Sequence, residues 1–351
     1  MDKRIVIMAG GTGGHVFPAL AVAQSLTEKG WQVSWLGTHN GLESRVIPEQ
    51  GIEIDWLSVA GMRGKGLAAK LTAVFMLLKS CLQAASILRR RKPDVVLGMG
   101  GFVAGPGGLM AKLLGIPLII HEQNRIPGTT NRLLARIANR ILEAFPGSFK
   151  KSVNAKCTGN PLRKQFLNLS SGAGRETGQD ISILIVGGSQ GAKVLNEIVP
   201  EAVAQLKNVQ IRHQTGMAMY EQVKSRYKAL GIKAEVNAFI EDMVAAYQWA
   251  DMVICRAGAM TVSEIAAIGV PAIFIPFPHA IDNHQVANAR YLTDAGAGVC
   301  LLQKEMNPKI LAEEITRVFK QLEVMGKAAK QCARLDATEV VAGYCIDEAG
   351  A

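Results

Sequence analysis

Aromatic residues are scarce in this chain, making up 5% of its 351 residues. They are not interleaved with the basic residues, which argues against a nucleic-acid partner bound by base stacking. The six cysteines form no C-x-x-C pair and no zinc-ligand spacing with histidine, as is typical of reduced cytoplasmic thiols. No apolar run approaches the roughly 20 residues of a membrane-spanning helix, and no signal-peptide core precedes the first strand, so we expect the protein to stay in the cytoplasm.

Three signatures of nucleotide and metal chemistry are also missing. The first glycine turn, around Gly11-Thr12-Gly13, lacks the last glycine of G-x-G-x-x-G, and no carboxylate follows the second strand, so the nicotinamide-binding pattern is not met. The lysine pattern G-x-x-x-x-G-K-[ST] is absent, which argues against a kinase or ATPase. No D-x-D pair is present, and we therefore predict no metal and no cofactor.

The basic residues are concentrated in one half of the chain. Residues 1–165 hold 22 of the 39 Lys and Arg residues but 9 of the 29 Asp and Glu residues, a net charge of +13. The remaining residues hold 17 against 20, a net charge of −3. Such asymmetry favours an anionic partner for the first half, such as a phospholipid surface, a pyrophosphate or nucleic acid, although solvated surface charge gives the same pattern.

Glycine is abundant, with 36 residues, and it clusters at three places where an apolar strand is followed by a helix. Backbone N–H groups in a glycine turn, together with the N-terminus of the next helix, can bind a phosphate closely. A nucleotide or sugar diphosphate is therefore the first candidate ligand. The three turns are Gly10–His15, Gly98–Gly108 and Gly187–Gly191.

Apolar runs alternate with amphipathic segments twice along the chain, which predicts two parallel, doubly wound α/β domains facing a central cleft. We expect an N-terminal domain over 1–162, a polar linker near 167–179, a second domain over 163–335 and a last helix, about 336–349, that packs back on the first. The predicted strands are Arg4–Met8, Gln32–Leu36, Glu53–Ser58, Asp94–Gly98, Pro117–His121, Arg140–Ala144, Ile181–Val186, Val209–Gln214, Ala234–Phe239, Asp251–Cys255, Pro271–Ile275 and Ala297–Leu302.

Six segments, in order along nearly the whole chain, carry a specific resemblance: Gly10–Pro18, Met99–Pro106, His121–Asn124, Gly159–Arg163, Gly188–Ala192 and Arg256–Glu264. Together they resemble the MurG family of bacterial transferases. The resemblance implies a GT-B fold and inverting transfer of GlcNAc from UDP-GlcNAc to undecaprenyl-pyrophosphoryl-MurNAc-pentapeptide (lipid I). The product would be the β-1,4-linked lipid II of peptidoglycan synthesis. Two alternatives stay open: a UDP-GlcNAc 2-epimerase on the same fold, and a non-enzymatic binder of nucleotides or nucleic acid.

The resemblance also implies the residues of the site. His15 is the candidate general base for the acceptor hydroxyl; its alternatives are a helix cap or a contact to the acceptor pyrophosphate. Gly14, Gly100 and Gly101 accompany His15 as candidates for binding that pyrophosphate. The donor UDP-GlcNAc is assigned to Thr12, Gly13, Gly14, Asn124, Arg163, Ser189, Ile240, Ala259, Met260, Thr261, Val262, Ser263, Glu264 and Gln285.

The segment Gly66–Ile87 suggests how the lipid substrate is reached. It holds the apolar run Leu71–Leu78 between two lysines and is followed by Arg89-Arg90-Arg91-Lys92. A basic-flanked apolar helix can lie on an anionic membrane surface, or it can be a buried crossover helix with a solvated end. We expect a peripheral protein on the cytoplasmic face of the inner membrane, with partners from cell-wall synthesis or cell division.

Overall fold

The computed structural model describes residues 3–59, 67–167, 180–188, 191–278 and 283–350, without the side chains of residues 67–73. Most of the expected linker lies outside these residues. The chain divides into two compact units: unit 1 comprises Met1–Arg163 and Arg334–Ala351, and unit 2 comprises Lys164–Ala333. No helix in the described part of the chain has the length and apolar character needed to cross a bilayer.

Unit 1 is a parallel sheet with helices on both faces. Its strands pair in the order β3-β2-β1-β4-β5-β6-β7. In chain order its elements are β1 (Arg4–Met8), α1 (Gly13–Glu28), β2 (Gln32–Gly37), α2 (Glu43–Val46), β3 (Glu53–Trp56), α3 (Leu67–Arg91), β4 (Val95–Gly98), α4 (Ala104–Leu113), β5 (Leu118–Glu122), α5 (Thr129–Leu134), β6 (Arg140–Glu143) and β7 (Lys156–Cys157).

The sheet of unit 1 is covered on both faces, because its central strands carry buried apolar side chains on both sides. Along β1, Ile5 and Ile7 pack with α1 on one face, and Val6 and Met8 pack with α3 and α4 on the other. The last helix, α13 (Ala337–Gly350), joins the first of these layers, where Cys345 is fully buried. The last helix therefore belongs to unit 1, although it follows unit 2 in sequence.

Unit 2 repeats this architecture with a parallel sheet in the order β10-β9-β8-β11-β12-β13. Its elements are β8 (Ile181–Val186), α6 (Lys193–Val203), β9 (Val209–Gln214), α7 (Tyr220–Ala229), β10 (Ala234–Asn237), α8 (Met243–Trp249), β11 (Met252–Cys255), α9 (Ala259–Ile268), β12 (Ala272–Phe274), α10 (His284–Thr293), β13 (Gly298–Cys300), α11 (Pro308–Phe319) and α12 (Leu322–Gln331).

Strand order determines where each unit is expected to bind a ligand. In both sheets the order reverses beside the first strand, between β1 and β4 in unit 1 and between β8 and β11 in unit 2. Ligands of doubly wound sheets bind beyond the carboxyl ends of the strands at this reversal. The three glycine turns follow β1, β4 and β8, so all three lie at such points.

Candidate functional site

The two glycine turns of unit 1 are in contact at the strand reversal. Gly100 has φ of 100°, and a Cβ built on it would lie 3.0 Å from Nδ1 and Cε1 of His15. Gly101 has φ of 82°, and a Cβ there would overlap the carbonyl of Gly10. Only glycine allows this backbone conformation and this approach together. The turn after β4 therefore fixes the wall against which the His15 ring packs.

Two of the predicted phosphate-binding residues, Gly13 and Gly14, are the first two residues of helix α1. Thr12 is the N-cap residue, and its carbonyl accepts from the backbone N–H groups of His15 and Val16 at 3.1 and 3.2 Å. The N–H groups of Gly13 and Gly14 stand ahead of these bonds, at the positive end of the helix dipole. The first turn of α1 can therefore donate two backbone hydrogen bonds to an anion.

The His15 side chain is held by a residue that the sequence analysis left unassigned. Nδ1 of His15 lies 2.8 Å from Oε1 of Gln123, which is buried just beyond the end of β5. No hydrogen bond within the described part of the chain involves Nε2 of His15. Gln123 lies in the motif that suggested Asn124. Because 108 residues separate it from His15, no local sequence pattern indicates that the two side chains are paired.

The predicted donor residue Asn124 is held in place by Glu122. Its backbone N–H and its Nδ2 both donate to Oε1 of Glu122, at 2.9 and 3.3 Å. Oε2 of Glu122 accepts from the backbone of Gly128 and from Asn131. Glu122 is almost fully buried, so its carboxylate shapes the loop after β5 rather than facing solvent.

Two further buried carboxylates at this edge of the sheet, those of Glu43 and Glu143, also accept hydrogen bonds from backbone N–H groups. Oε2 of Glu43 accepts from the N–H of Gly11 at 2.9 Å, and its Oε1 accepts from the N–H and hydroxyl of Thr38. Glu143 accepts from two backbone N–H groups in the loop after β6. Each of these acids uses both oxygens for hydrogen bonds inside the protein. Glu43 was missed in the sequence analysis, since no motif marks it.

Arg163 lies beside the first glycine turn, within unit 1. Its guanidinium carbon is 5.7 Å from the centroid of the Phe17 ring, a cation–π distance. Phe17 itself lies under Gly13, since a Cβ on Gly13 would come within 2.8 Å of that ring. The structure therefore brings together Arg163 and the start of α1, two predicted elements that are separated by about 150 residues.

In unit 2, the predicted run 259–264 forms the first turns of α9, after β11. Its N-cap residue is Gly258, and the backbone N–H groups of Ala259, Met260 and Thr261 precede the first helical hydrogen bond. The Val262 side chain is fully buried, and its N–H is bonded to the carbonyl of Gly258, so it contributes to the core. This helix start can donate backbone hydrogen bonds at the strand reversal of unit 2.

Side chains on the same helix are also oriented by hydrogen bonds. The Ser263 hydroxyl donates to the carbonyl of Ala259 at 3.0 Å. Oε2 of Glu264 accepts from the hydroxyl of the buried Tyr247 at 3.3 Å. One oxygen of the Glu264 carboxylate is thus held by a side chain of α8.

A buried glutamine connects two predicted donor-binding loops of unit 2. Nε2 of Gln214, at the end of β9, donates to the carbonyl of Gly188 at 2.9 Å, and its Oε1 accepts from the N–H of Ile240 at 2.9 Å. Gly188 belongs to the glycine turn, whose predicted residue Ser189 lies outside the described residues. The N–H of Ile240 is engaged by Gln214, which leaves its carbonyl as the group to face a base.

Gln285 and Arg256 both hold the loop after β12. Oε1 of Gln285 accepts from the N–H of Phe277 at 2.9 Å. The Arg256 guanidinium donates to the carbonyls of Ile275 and Pro276 and lies 5.4 Å from the centroid of the Phe277 ring. Gln285 thus uses its amide oxygen to hold this loop.

Two buried histidines are neutral at ordinary pH. Burial lowers the pKa of His121 to about 4 and that of His213 to about 3. Neither is exposed to solvent, so neither is placed to exchange protons with a substrate. Among the residues that the structure describes, no three His, Cys, Asp or Glu side chains are grouped as metal ligands would be.

Comparison with known proteins gives a consistent family. Residues 5–143 match the glycosyltransferase family 28 N-terminal domain, and residues 182–341 match its C-terminal domain. The chain is similar, over its whole length, to the curated UDP-N-acetylglucosamine--N-acetylmuramyl-(pentapeptide) pyrophosphoryl-undecaprenol N-acetylglucosamine transferase of Methylococcus capsulatus, with 60% identity over 356 residues and 100% of both chains covered. The transferase of that name from Tolumonas auensis is 50% identical and covers 98% of this chain and 99% of its own.

Solved structures agree with these relatives. The crystal structure of Acinetobacter baumannii MurG matches with a TM-score of 0.87 and 43% identity, covering 98% of this chain and 99% of its own. The UDP-GlcNAc 2-epimerase of Neisseria meningitidis matches with a TM-score of 0.67 and 14% identity, covering 98% and 100%. At that identity the epimerase shares the fold alone, which is the GT-B arrangement of two Rossmann-like domains.

Proposed function

This chain belongs to glycosyltransferase family 28, among the MurG transferases, and we propose that it transfers GlcNAc from UDP-GlcNAc to lipid I, giving lipid II. The observation that carries this function is the full-length similarity to curated transferases that are named for this reaction. The product belongs to peptidoglycan synthesis, on which cell shape and division depend. The epimerase alternative is supported by the shared fold alone.

We propose His15 as the general base, acting through Nε2. Its Nδ1 is engaged by Gln123, whereas Nε2 has no hydrogen bond within the described residues. The three buried acids at the same sheet edge, Glu43, Glu122 and Glu143, use both carboxylate oxygens on the protein itself. His15 is therefore the better placed of these groups to accept a proton from a bound hydroxyl.

The reaction is a single displacement. Nε2 of His15 removes the proton from the C4 hydroxyl of MurNAc, and that oxygen forms a bond to the anomeric carbon of GlcNAc. The bond from this carbon to the diphosphate breaks, its electron pair leaves with UDP, and the configuration inverts from α to β. In-line displacement requires the attacking oxygen to lie opposite the departing diphosphate, so the step depends on orientation as well as on the base.

We propose that backbone dipoles and a guanidinium stabilise the departing UDP, with no metal ion required. In unit 2 the N-termini of α6 and α9 follow β8 and β11 at the strand reversal, where a diphosphate would bind. Glu264, held by Tyr247, binds the ribose hydroxyls, and the carbonyl of Ile240 faces the uracil. Arg163, stacked on Phe17, adds a fixed positive charge.

Transfer of labelled GlcNAc to a short-chain lipid I analogue, in the presence of EDTA, tests both the reaction and its metal independence. We expect labelled disaccharide lipid. His15→Gln should lower kcat by roughly 10² to 10⁴-fold and change the donor KM little, because general-base catalysis contributes about that much. His39→Gln, at an exposed histidine after β2, is the matched control and should retain activity. Product formation only after magnesium is added would contradict the metal-free mechanism.

We propose that unit 1 binds an anionic membrane surface through the outer face of α3. Phe75, Leu78 and Leu82 are 69%, 60% and 73% exposed, and their spacing puts them on one helix face. The opposite face, with Ala84 and Leu88, packs on the sheet, so α3 combines the two roles that its sequence suggested. We propose that this surface holds the protein at the cytoplasmic face of the membrane, where it would reach lipid I.

The basic cluster at the end of α3 contributes less charge to that surface than its sequence suggests. Arg91 donates to Asp55 at 2.7 Å, and Arg90 pairs with the same carboxylate. Arg89 is exposed beside them, and Lys79 is exposed on the outer half of the helix. Membrane binding should therefore depend more on the apolar side chains than on this cluster.

Sedimentation with vesicles that contain anionic lipid tests the membrane surface. Leu78→Ser and Leu82→Ser should each lower the partition coefficient roughly tenfold, because each removes the burial of one apolar side chain, about 1.5 kcal/mol or more. Val324→Ser, at a 69% exposed residue of α12 in unit 2, is the matched control and should bind normally. Equal loss in all three variants would contradict the assignment to α3.

The partners expected from cell-wall synthesis or division stay a prediction.

A further inference from the structure

A chain of hydrogen bonds in unit 1 runs from a backbone carbonyl to His15. The carbonyl of Gly159 lies 2.9 Å from Nε2 of His121. Nδ1 of His121 lies 3.1 Å from Nε2 of Gln123, whose Oε1 lies 2.8 Å from Nδ1 of His15. His121 and Gln123 are both buried, so water does not compete for the bonds that join them to each other and to Gly159. The bond between Gln123 and His15 is partly buried.

Two backbone carbonyls determine the direction of every bond in this chain. The carbonyl of Gly159 can only accept, so Nε2 of His121 carries a proton. Nε2 of Gln123 also lies 3.1 Å from the carbonyl of His121, which fixes the amide with its nitrogen towards His121 and its oxygen towards His15. Because an amide oxygen can only accept, Nδ1 of His15 must donate.

We propose that Gln123 is a positioning residue that fixes His15 in its Nδ1–H tautomer and so leaves Nε2 as the basic nitrogen. This inference rests on the proposed role of His15 as the base. Free histidine prefers the opposite tautomer, with the proton on Nε2, and in that form the nitrogen that faces a substrate could not accept a proton. The amide of Gln123 reverses this preference at the one position where the reaction needs it.

His121 must be neutral for the chain to work, since its Nδ1 has to accept from Gln123. Burial lowers the pKa of His121 to about 4, and the only opposing contribution is its bond to the carbonyl of Gly159. The ring is therefore neutral at the pH of the cytoplasm, with its single proton on Nε2. His121 acts through Gln123 and, like Gln123, does not contact the substrate.

Nitrogen-15 NMR of the histidine-labelled protein at pH 8 measures the tautomers directly, with signals assigned by His15→Asn and His121→Asn. The unmodified protein should show the proton of His15 on Nδ1 and that of His121 on Nε2. A proton on Nε2 of His15 in the unmodified protein would overturn the proposal. In Gln123→Met, the Nε2–H form of His15 should become the major one.

Steady-state kinetics then connect the tautomer to turnover. Gln123→Met should lower kcat by roughly tenfold or more with the donor KM within about twofold. Combined with His15→Gln it should cost nothing further, because both changes remove the same function. Gln50→Met, at an exposed glutamine of unit 1, is the matched control and should leave both values unchanged.

The outcomes separate this proposal from the proposed function. If His15→Gln lowers kcat but Gln123→Met leaves the His15 tautomer and kcat unchanged, the role of Gln123 is wrong and the base assignment stands. If His15→Gln leaves kcat unchanged, His15 is not the base, whatever its tautomer. Additive losses in the double variant would also overturn the proposal, since Gln123 would then act independently of His15.

Discussion

Replacing Glu43 by glutamine should destabilise unit 1 and displace the first glycine turn. The fully buried carboxylate accepts three hydrogen bonds, from the N–H of Gly11 and from the N–H and hydroxyl of Thr38. A glutamine oxygen can keep the two bonds to Thr38, but its buried NH₂ group then faces the N–H of Gly11, so the bond to Gly11 is lost and the buried NH₂ group is left without an acceptor. Losing one charge-assisted bond and burying one orphan donor should cost about 3 kcal/mol.

Tryptophan fluorescence can follow this loss in unit 1 alone. Three of the four tryptophans, Trp31, Trp35 and Trp56, lie in unit 1, and Trp249 lies in unit 2. In a Trp249→Phe background, urea unfolding monitored by fluorescence therefore reports on unit 1. Trp35 lies directly below the turn, since its indole N–H donates to the carbonyl of Ala9 at 2.8 Å. In thermal unfolding followed by the same fluorescence, a loss of about 3 kcal/mol should lower the midpoint temperature of unit 1 by roughly 6 to 12 °C.

A nearby exposed acid supplies the control for Glu43→Gln. Glu49→Gln makes the same chemical change on the segment that follows α2, at the surface, and should stay within about 0.5 kcal/mol of the unmodified protein. The Glu43 variant should also lower kcat, because the displaced turn carries His15. If Glu43→Gln were as stable as Glu49→Gln, the carboxylate would not hold the turn and this reasoning would be refuted.

Three further predictions concern both units. Gly100→Ala should lower kcat at least roughly tenfold and stability by about 1 to 2 kcal/mol, since φ of 100° strains alanine and its Cβ would press on His15; normal kinetics would contradict this. Gln214→Leu should weaken UDP binding roughly tenfold, because the loop at Ile240 loses its hydrogen bond to the Gln214 side chain. Isothermal titration calorimetry measures this affinity, and an unchanged value would refute the prediction. Unit 2 should lose stability as the pH falls below 6.5 towards 3, because burial lowers the folded-state pKa of His213 and the unfolded state then binds more protons. By pH 4.5 the loss is about 3 kcal/mol in urea unfolding, and His213→Phe should abolish this pH dependence.

The fold could be predicted from the sequence because parallel strands buried on both faces appear as continuous apolar runs. All twelve predicted strands are confirmed, with ends that differ by at most two residues. The additional strand β7, Lys156–Cys157, has two residues and a polar start, which is too short a signal to distinguish from a loop. The strand order of both sheets is that of a doubly wound fold, for which right-handed crossovers allow few alternatives.

The candidate site was predictable only where its chemistry lies in local motifs. Glycine turns and helix starts are visible as short patterns, and the structure places Gly13, Gly100 and Ala259 at the strand reversals as such patterns require. Glu43 and Gln214 were missed because their function lies in bonds to segments 26 to 32 residues away. The pairing of Arg90 and Arg91 with Asp55 and Glu53 on β3 was not predictable for the same reason.

Both units use a buried glutamine where they need to orient a functional group without adding a charge. Gln123 turns its oxygen to His15 and its nitrogen to a backbone carbonyl, and Gln214 turns its oxygen to the N–H of Ile240 and its nitrogen to the carbonyl of Gly188. A carboxylate could not donate to those carbonyls, and a lysine could not accept. An ionised side chain at either position would leave one of these hydrogen bonds unmade and would add its own charge to the site. The neutral amide is therefore the side chain that meets the geometric requirement of both sites without changing their electrostatics.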